Sequence, residues 1–457
     1  MNGAVRPRLR RLAIGVFVLA LPVAAHQIWD YVELRRLVAE IQAIIDRGEP
    51  VTAQDAGLEY EPWPTQAGER FAGTLYIAGA VLASTEVVDF NARELLYAAQ
   101  DWLRGRSNSP EPHVDATVLS GLKSSLALEL ADKGALLPFR GFPGGTDYSS
   151  RSAYVSHLSV LVAARTVALS LAGDGGPAVE SALTALRFRR ATDETGFPAN
   201  GGHETAAVLS WSRPSAEMLV RLQEALEQEE PPDRERGILL RIRAGLVEDV
   251  WRRYYGTNPT VPHIYSLPRR SIRESIVRPL ITRRLVDVLR VWVDLVDLAG
   301  RPWSQHAEAV EEIVSRHQVE GDERSSALLR PFSFALMKNV AIERFDLEVR
   351  PDRLLEDRAA RVAVAIARFQ RDHDDALPEA LSELVPGYLA GVPQDPLTDE
   401  PLRYRQDADA YVIYSVGPDG SDDGGTLTPD ARPGDIRRFV PGRDIGVRVL
   451  IGRQRTN

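Results

Sequence analysis

Four aspartates near the carboxyl end, Asp419, Asp422, Asp423 and Asp435, have the types and spacing to do chemistry, three of them within YVIYSVGPDGSDDGG over residues 411–425. Calcium takes about six to eight hard oxygen ligands, and a glycine-rich turn with closely spaced carboxylates offers side-chain and carbonyl oxygens together. Two readings stand side by side. These carboxylates form a calcium site, or they belong to a solvated turn, where aspartate and glycine are frequent because they tolerate the required backbone angles. Asp419, Ser421, Asp423, Gly424 and Asp430 approximate an EF-hand register, but a strand precedes them and Pro429 interrupts them, so the helix-loop-helix frame is missing.

Other chemistries are excluded by residue type or spacing. The chain has no cysteine, which removes disulfides, thiolate zinc sites and cysteine nucleophiles. His203-Glu204 is followed by Thr205, Ala206 and Ala207, so the second histidine of a zinc protease is absent. No GxSxG elbow or GxxxxGK phosphate loop occurs, and GFPGGTD lacks the strand and spacing of a dinucleotide site, so it reads as a turn. A net charge of −9 provides no broad basic face, which argues against a nucleic-acid partner. A hydrolase or lyase using paired Asp or Glu carboxylates needs no motif and stays open as an alternative. The segment from Tyr254 to Arg273, with Tyr255, His263, Tyr265, Arg269 and Arg270, reads as a contact surface or as a solvated connector. Trp211, Trp251, Trp292 and Trp303 lie in or beside apolar stripes and are expected in the core.

The elements that must position these residues follow from hydrophobic patterning. A chain of 457 residues predicts two or three units. At its start, Arg6, Arg8, Arg10 and Arg11 precede an apolar run over residues 12–25. A run of about 14 residues matches a signal-peptide core with cleavage after Ala25. The helical pattern continues, however, through Ile28, Trp29, Tyr31, Val32, Leu34, Leu37, Val38, Ile41 and Ile45. The expectation adopted is therefore an uncleaved inner-membrane anchor ending at Trp29 with an interfacial aromatic pair, rather than a buried soluble helix. The arginines then keep the amino end in the cytoplasm and leave the bulk of the chain periplasmic.

Residues 48–330 show apolar positions recurring three and four apart, in stretches such as YVSHLSVLVAARTVALSLAG and SAEMLVRLQEALEQEE, separated by GDGGP, FPANGGH and EEPPDRE. An all-helical bundle or irregular solenoid of about ten helices is predicted, without a fixed repeat. The expected fold is mainly α, in three parts: an anchor and extended helix over 1–47, the all-helical domain over 48–330, and a helix plus a small α+β unit with a short antiparallel sheet over 331–457. In that last part Leu355, Ala359, Val362, Ala363, Ile366 and Phe369 form one apolar helix face. LRYR and YVIYSV read as strands joined by QDADA.

Leu377-Pro378, the LxxLVP over residues 381–386, Asp395-Pro396, Pro401 leading to Tyr404, and SVGPDG over residues 415–420 follow in an order that resembles the globular half of the type II secretion major pseudopilin. The resemblance covers about 90 residues. It implies that the loop after the last strand holds calcium and stiffens the subunit, with Asp435-Ile436 similar to the acidic-aliphatic pair that closes the loop. The chain departs from that family where some 300 residues separate its two ends, and where no glutamate follows Gly15 in GVFVLALP. The resulting expectation is a non-enzymatic bacterial cell-envelope protein. It is anchored once in the inner membrane, has a periplasmic helical body, and ends in a pseudopilin-like interaction module that meets an envelope protein partner of unknown identity. A secretion-system subunit is a further alternative.

Overall fold

The computed structural model describes residues 5–52, 71–84, 89–103, 112–139, 148–194, 204–227, 234–254, 272–299, 354–417, 420–427 and 444–452, with isolated positions between them, and most of their side chains from residue 20 onward. The chain is mainly helical with one small antiparallel sheet. It divides into two compact units. Residues 1–57, 239–297 and 311–342 make the first, and residues 58–238, 298–310 and 343–457 make the second.

In the first unit, α1 (Val5–Asp46) is 42 residues long. Its later part buries Leu37, Ile41 and Ile44, a spacing that gives one helix face. The same unit holds α10 (Arg234–Tyr254) from Leu239 onward, which buries Leu239, Val247 and Trp251, and α11 (Ile272–Leu298), which buries Leu285, Leu289, Trp292 and Val296. Asp30, Glu40 and Arg47 of this unit meet Arg278, Arg290 and Asp297 in the same order, so α1 and α11 run parallel. Beyond α1, Glu49 accepts from the fully buried Arg243 at 2.7 Å. Burial would push the Glu49 carboxyl up, but the hydrogen bond and charge of Arg243, joined by Arg47, hold it below the usual range.

Among the described residues no helix is long and apolar enough to cross a membrane. The anchor expectation covers residues 12–29: the side chains of 12–19 lie outside the described residues, and the ten described positions 20–29 do not by themselves make a span.

The second unit opens with α2 (Ala72–Ala83) packed on α5 (Leu126–Ala135). Small residues let them approach: a Cβ at Gly134 would come within 2.7 Å of the Tyr76 ring. Between them in the chain lie α3 (Asp89–Leu103) and α4 (Ala116–Ser124). Asp115 caps α4 by accepting from the Thr117 and Val118 amides, and Ser125 caps α5 by accepting from Leu128 N. At the centre lies α6 (Tyr148–Leu171), buried almost all round from Leu158 to Leu171, with α7 (Gly175–Glu194) beside it. Several buried polar side chains of α6 have partners, although His157 Nδ1 has none. Arg165 donates two hydrogen bonds to Asp132 at 2.7 and 2.6 Å and one to Ser181, while Thr166 and Ser170 bond back to carbonyls one turn earlier.

All eight residues of α8 (Glu204–Trp211) are buried, and α9 (Ala216–Glu227) follows. A final helix, α12, covers 354–372. Its predicted face is inside, since Leu355, Ala359, Val362, Ala363, Ile366 and Phe369 are all buried. The sheet order is β1 (Arg403–Gln406), β2 (Ala410–Ser415), β3 (Ile445–Leu450), antiparallel throughout. The first two strands are the predicted hairpin. The third is an addition, because IGVRVL lies far along the chain behind a long turn region.

Period-two alternation sorts the sheet faces. Tyr411, Ile413, Val447 and Val449 enter one hydrophobic core that also holds α2 to α9 and α12. Val412 and Tyr414 point the other way and pack with Leu427. The C-terminal residues are thus built into the helical core, with the Leu450 amide donating to Ser210 Oγ of α8 at 3.1 Å.

Candidate functional site

Arg403 and Arg405 of β1 stand opposite Tyr414 and Val412 of β2, on the outer face of the sheet. The turn over residues 420–427 folds across that face. Asp422 forms an ion pair with Arg403, accepts from the Gly424 amide at 2.9 Å and accepts from the Tyr414 hydroxyl at 3.3 Å. Arg405 donates to the Gly424 carbonyl. A Cβ on Gly425 would stand 3.1 Å from the Tyr414 ring, and its φ of +77° also favours glycine. The Gly424 amide, followed by Arg403, holds the Asp422 carboxyl below its ordinary range, while burial beside that carboxylate pushes the Tyr414 hydroxyl up.

Asp444, at the head of β3, is fully buried and reaches back to the same turn, accepting from the Asp423 and Gly425 amides. Burial raises its carboxyl above the usual value despite those donors, and the neighbouring charges of Asp422 and Asp423 add to the rise. The Asp423 Oδ2 atom is buried and has no hydrogen-bond partner. Sequence reasoning missed Asp444. An aspartate heading the alternating run IGVRVL was the available signal, and among the described residues the acidic-aliphatic pair that meets the turn is Asp444-Ile445, while Asp435-Ile436 lies outside them.

Of the four predicted ligands, the structure places Asp422 and Asp423 side by side on this turn, while Asp419 and Asp435 lie outside the described residues. Among the described residues no group of three or more His, Cys, Asp or Glu side chains could hold a metal ion. The geometry fits this: the oxygens of Asp422 and Asp444 face an arginine, a phenol and backbone amides, which are donors, while Asp423 Oδ2 is buried without a hydrogen-bond partner. As it stands, the described part of the turn is a strap that closes the outer sheet face.

A second constellation lies in the helical core of the same unit. Arg189 of α7 pairs with Asp357 of α12 at 2.7 Å, their side chains 4% and 9% exposed. With Glu204 and Thr205 of α8 and Ser159 of α6 they line a narrow crevice. A charge pair this dry is costly to break, because either partner alone would be a buried uncompensated ion. It joins α7 to α12.

Trp211, Trp251 and Trp292 are buried core residues, as expected, whereas Trp303, His203 and nearly all of the aromatic and cationic segment over residues 254–273 lie outside the described residues. Compared with protein-family models, curated proteins and solved structures, the chain matches none of them.

Proposed function

We propose that this chain is a non-enzymatic bacterial cell-envelope protein. It is held by one pass through the inner membrane, with its amino end cytoplasmic and its helical body and C-terminal interaction module periplasmic. One observation carries the reading. Between Arg11 and Asp30 no Asp, Glu, Lys or Arg occurs, and within that stretch the α1 residues 20–25 are exposed on every side of the helix. Apolar side chains exposed all round the helix, as at residues 20–25, fit lipid. Carbonate extraction of membranes tests it: the full-length chain is expected in the pellet, and recovery in the carbonate supernatant overturns the anchor.

The interaction module is the α12 and sheet region, proposed on its resemblance to the type II secretion major pseudopilin. Crosslinking in native membranes, followed by identification of the captured envelope protein, tests this part. A pseudopilin-like assembly yields a chain of secretion machinery, and capture of none of it removes the secretion-subunit alternative. Calcium belongs to the proposal on the strength of Asp419, Asp422, Asp423 and Asp435 in the sequence, with the leftover Asp423 Oδ2 in support. Calorimetric titration of the whole protein with calcium is expected to give saturable heat that Asp423→Asn removes. No heat at millimolar calcium ends it.

The hydrolase or lyase reading is favoured by one feature, the crevice that brings Glu204 and Asp357 to a common wall. Asp357 also pairs with Arg189, and Glu204→Gln is the first variant to test. If Glu204→Gln abolished an activity found by substrate screening while leaving the melting temperature unchanged, that reading would replace the first.

A further inference from the structure

Three boundaries along α1 coincide within a few residues. The first is a boundary of surroundings. Ala20, Leu21, Pro22, Val23, Ala24 and Ala25 are all exposed, covering more than one full turn, whereas from Glu33 onward burial recurs at Glu33, Leu37, Ile41 and Ile44 on one face. The second is a boundary of charge. After the uncharged stretch, Asp30, Glu33, Arg35 and Arg36 arrive within seven residues. The third is aromatic. Trp29 donates its indole N–H to Glu33 at 3.2 Å, His26 lies edge-on to Trp29, and Arg35 sits 5.8 Å from the Tyr31 ring. Amphipathic rings backed by charged side chains on the water side suit the headgroup layer, where one end of the ring is apolar and the other wet.

The same level is clamped from outside the helix. Arg278 of α11 donates to Asp30, the Nε contact being 2.9 Å, and both side chains are largely buried. The Glu40–Arg290 and Arg47–Asp297 pairs continue this contact away from the boundary. From Val23 to Asp46 α1 contains no proline or glycine, so nothing in that stretch acts as a flexible linker.

We propose that residues 29–33 of α1, clamped to α11 through Asp30 and Arg278, form the headgroup-level collar of the first unit. The part of the span after Pro22 and the packed helix are then one rod that fixes this unit's height against the lipid surface. The partner is the phospholipid headgroup layer itself. This inference rests on the anchor reading above and adds to it where lipid ends and that nothing swivels there. From Trp29 to Asp46 the rod rises about 25 Å.

The absence of cysteine makes the test clean. Single-cysteine variants Val23→Cys, Ile28→Cys, Val32→Cys and Ala39→Cys, all at exposed positions, carry a nitroxide in nanodiscs of phosphatidylethanolamine and phosphatidylglycerol. Labels at 23 and 28 are expected to be accessible to oxygen, and the label at 39 to a water-soluble nickel chelate. The changeover is expected within one turn of residue 31, about 5 Å along the axis. Motion at 32 and 39 is expected to be that of a rigid helix surface, and the Asp30→Asn, Arg278→Gln pair of changes is expected to loosen the label at 32 while the label at 23 stays in lipid. If 23 is in lipid but the labels at 32 and 39 tumble freely, or if the changeover falls beyond 39, the collar is wrong and the anchor stands. An unchanged label at 32 in the double variant overturns the clamp. If 23 is nickel-accessible and the chain does not enter nanodiscs, the anchor fails and takes the collar with it.

Discussion

Residues 20–25 of α1 and residues 206–209 of α8 are both helical stretches made only of apolar residues, yet their surroundings are opposite. In α8 every residue is buried among α6, α7 and β3, and even Ser210 has a partner in the Leu450 amide. In α1 Leu21, Val23 and Ile28 are 52%, 58% and 65% exposed. The contrast teaches that all-round apolarity states only that a helix must be covered. What covers it is a separate fact: in one case a helical layer and a strand brought from more than 200 residues away, in the other, by our proposal, lipid.

Charge insertion is the strongest way to break this comparison. Ala207→Asp buries an unpaired carboxylate in α8 and is expected to unfold the second unit, since a domain holds only about 5–15 kcal/mol in all. Val23→Asp is expected to leave thermal unfolding unchanged and to shift the chain out of the membrane pellet, at an insertion cost of about 2.5–3.5 kcal/mol. Circular dichroism melts and carbonate extraction, run on both variants, read the two effects separately.

Side-chain truncation gives a smaller, graded version. Trp211→Ala is expected to cost about 3–5 kcal/mol in urea unfolding, whereas Ile28→Ala stays within about 0.5 kcal/mol. The turn just after α1 has its own sensitive point: Glu49→Ala leaves Arg243, which is fully buried, without its carboxylate, for a loss of about 3–5 kcal/mol. A loss below 1 kcal/mol would mean that water reaches Arg243.

The acidic turn lies between these extremes, and the expected effect there is the smallest. Asp444 has a raised folded value, so its contribution is complete below the unfolded carboxylate value of about 3.9 and is lost as pH rises through the folded one. Asp422 has a lowered value, so its contribution is complete above about 3.9 and is lost as pH falls. Urea midpoints followed from about pH 3 to 7 are expected to lose a falling slope in Asp444→Asn and a rising slope in Asp422→Asn. Slopes that change the other way would show that the turn is not closed over the sheet as described.

Much of the helical layer was legible. The six-residue face of α12 could be read because each member sits three or four positions from another, and the β1–β2 hairpin because its turn is short. The candidate turn was half legible. Asp422 and Asp423 are neighbours in sequence, but the arginine that engages Asp422 comes from β1, and the carboxylate that holds the turn's amides comes from Asp444. Arg189 and Asp357 were illegible for the same reason, since 168 positions separate them and neither belongs to a motif.

Local spacing alone determined where helices form, which faces need cover, and that a charge-free apolar stretch follows four arginines, because helix geometry repeats every few residues. The partners were decided by tertiary structure only: the core shared by α2 to α9, α12 and the sheet, the third strand, and the carboxylates that serve amides and arginines on the turn. Those choices depend on chain segments meeting across long loops, and burial, which turns a carboxylate from a solvated charge into a hydrogen-bond acceptor with a shifted titration, exists only after they meet.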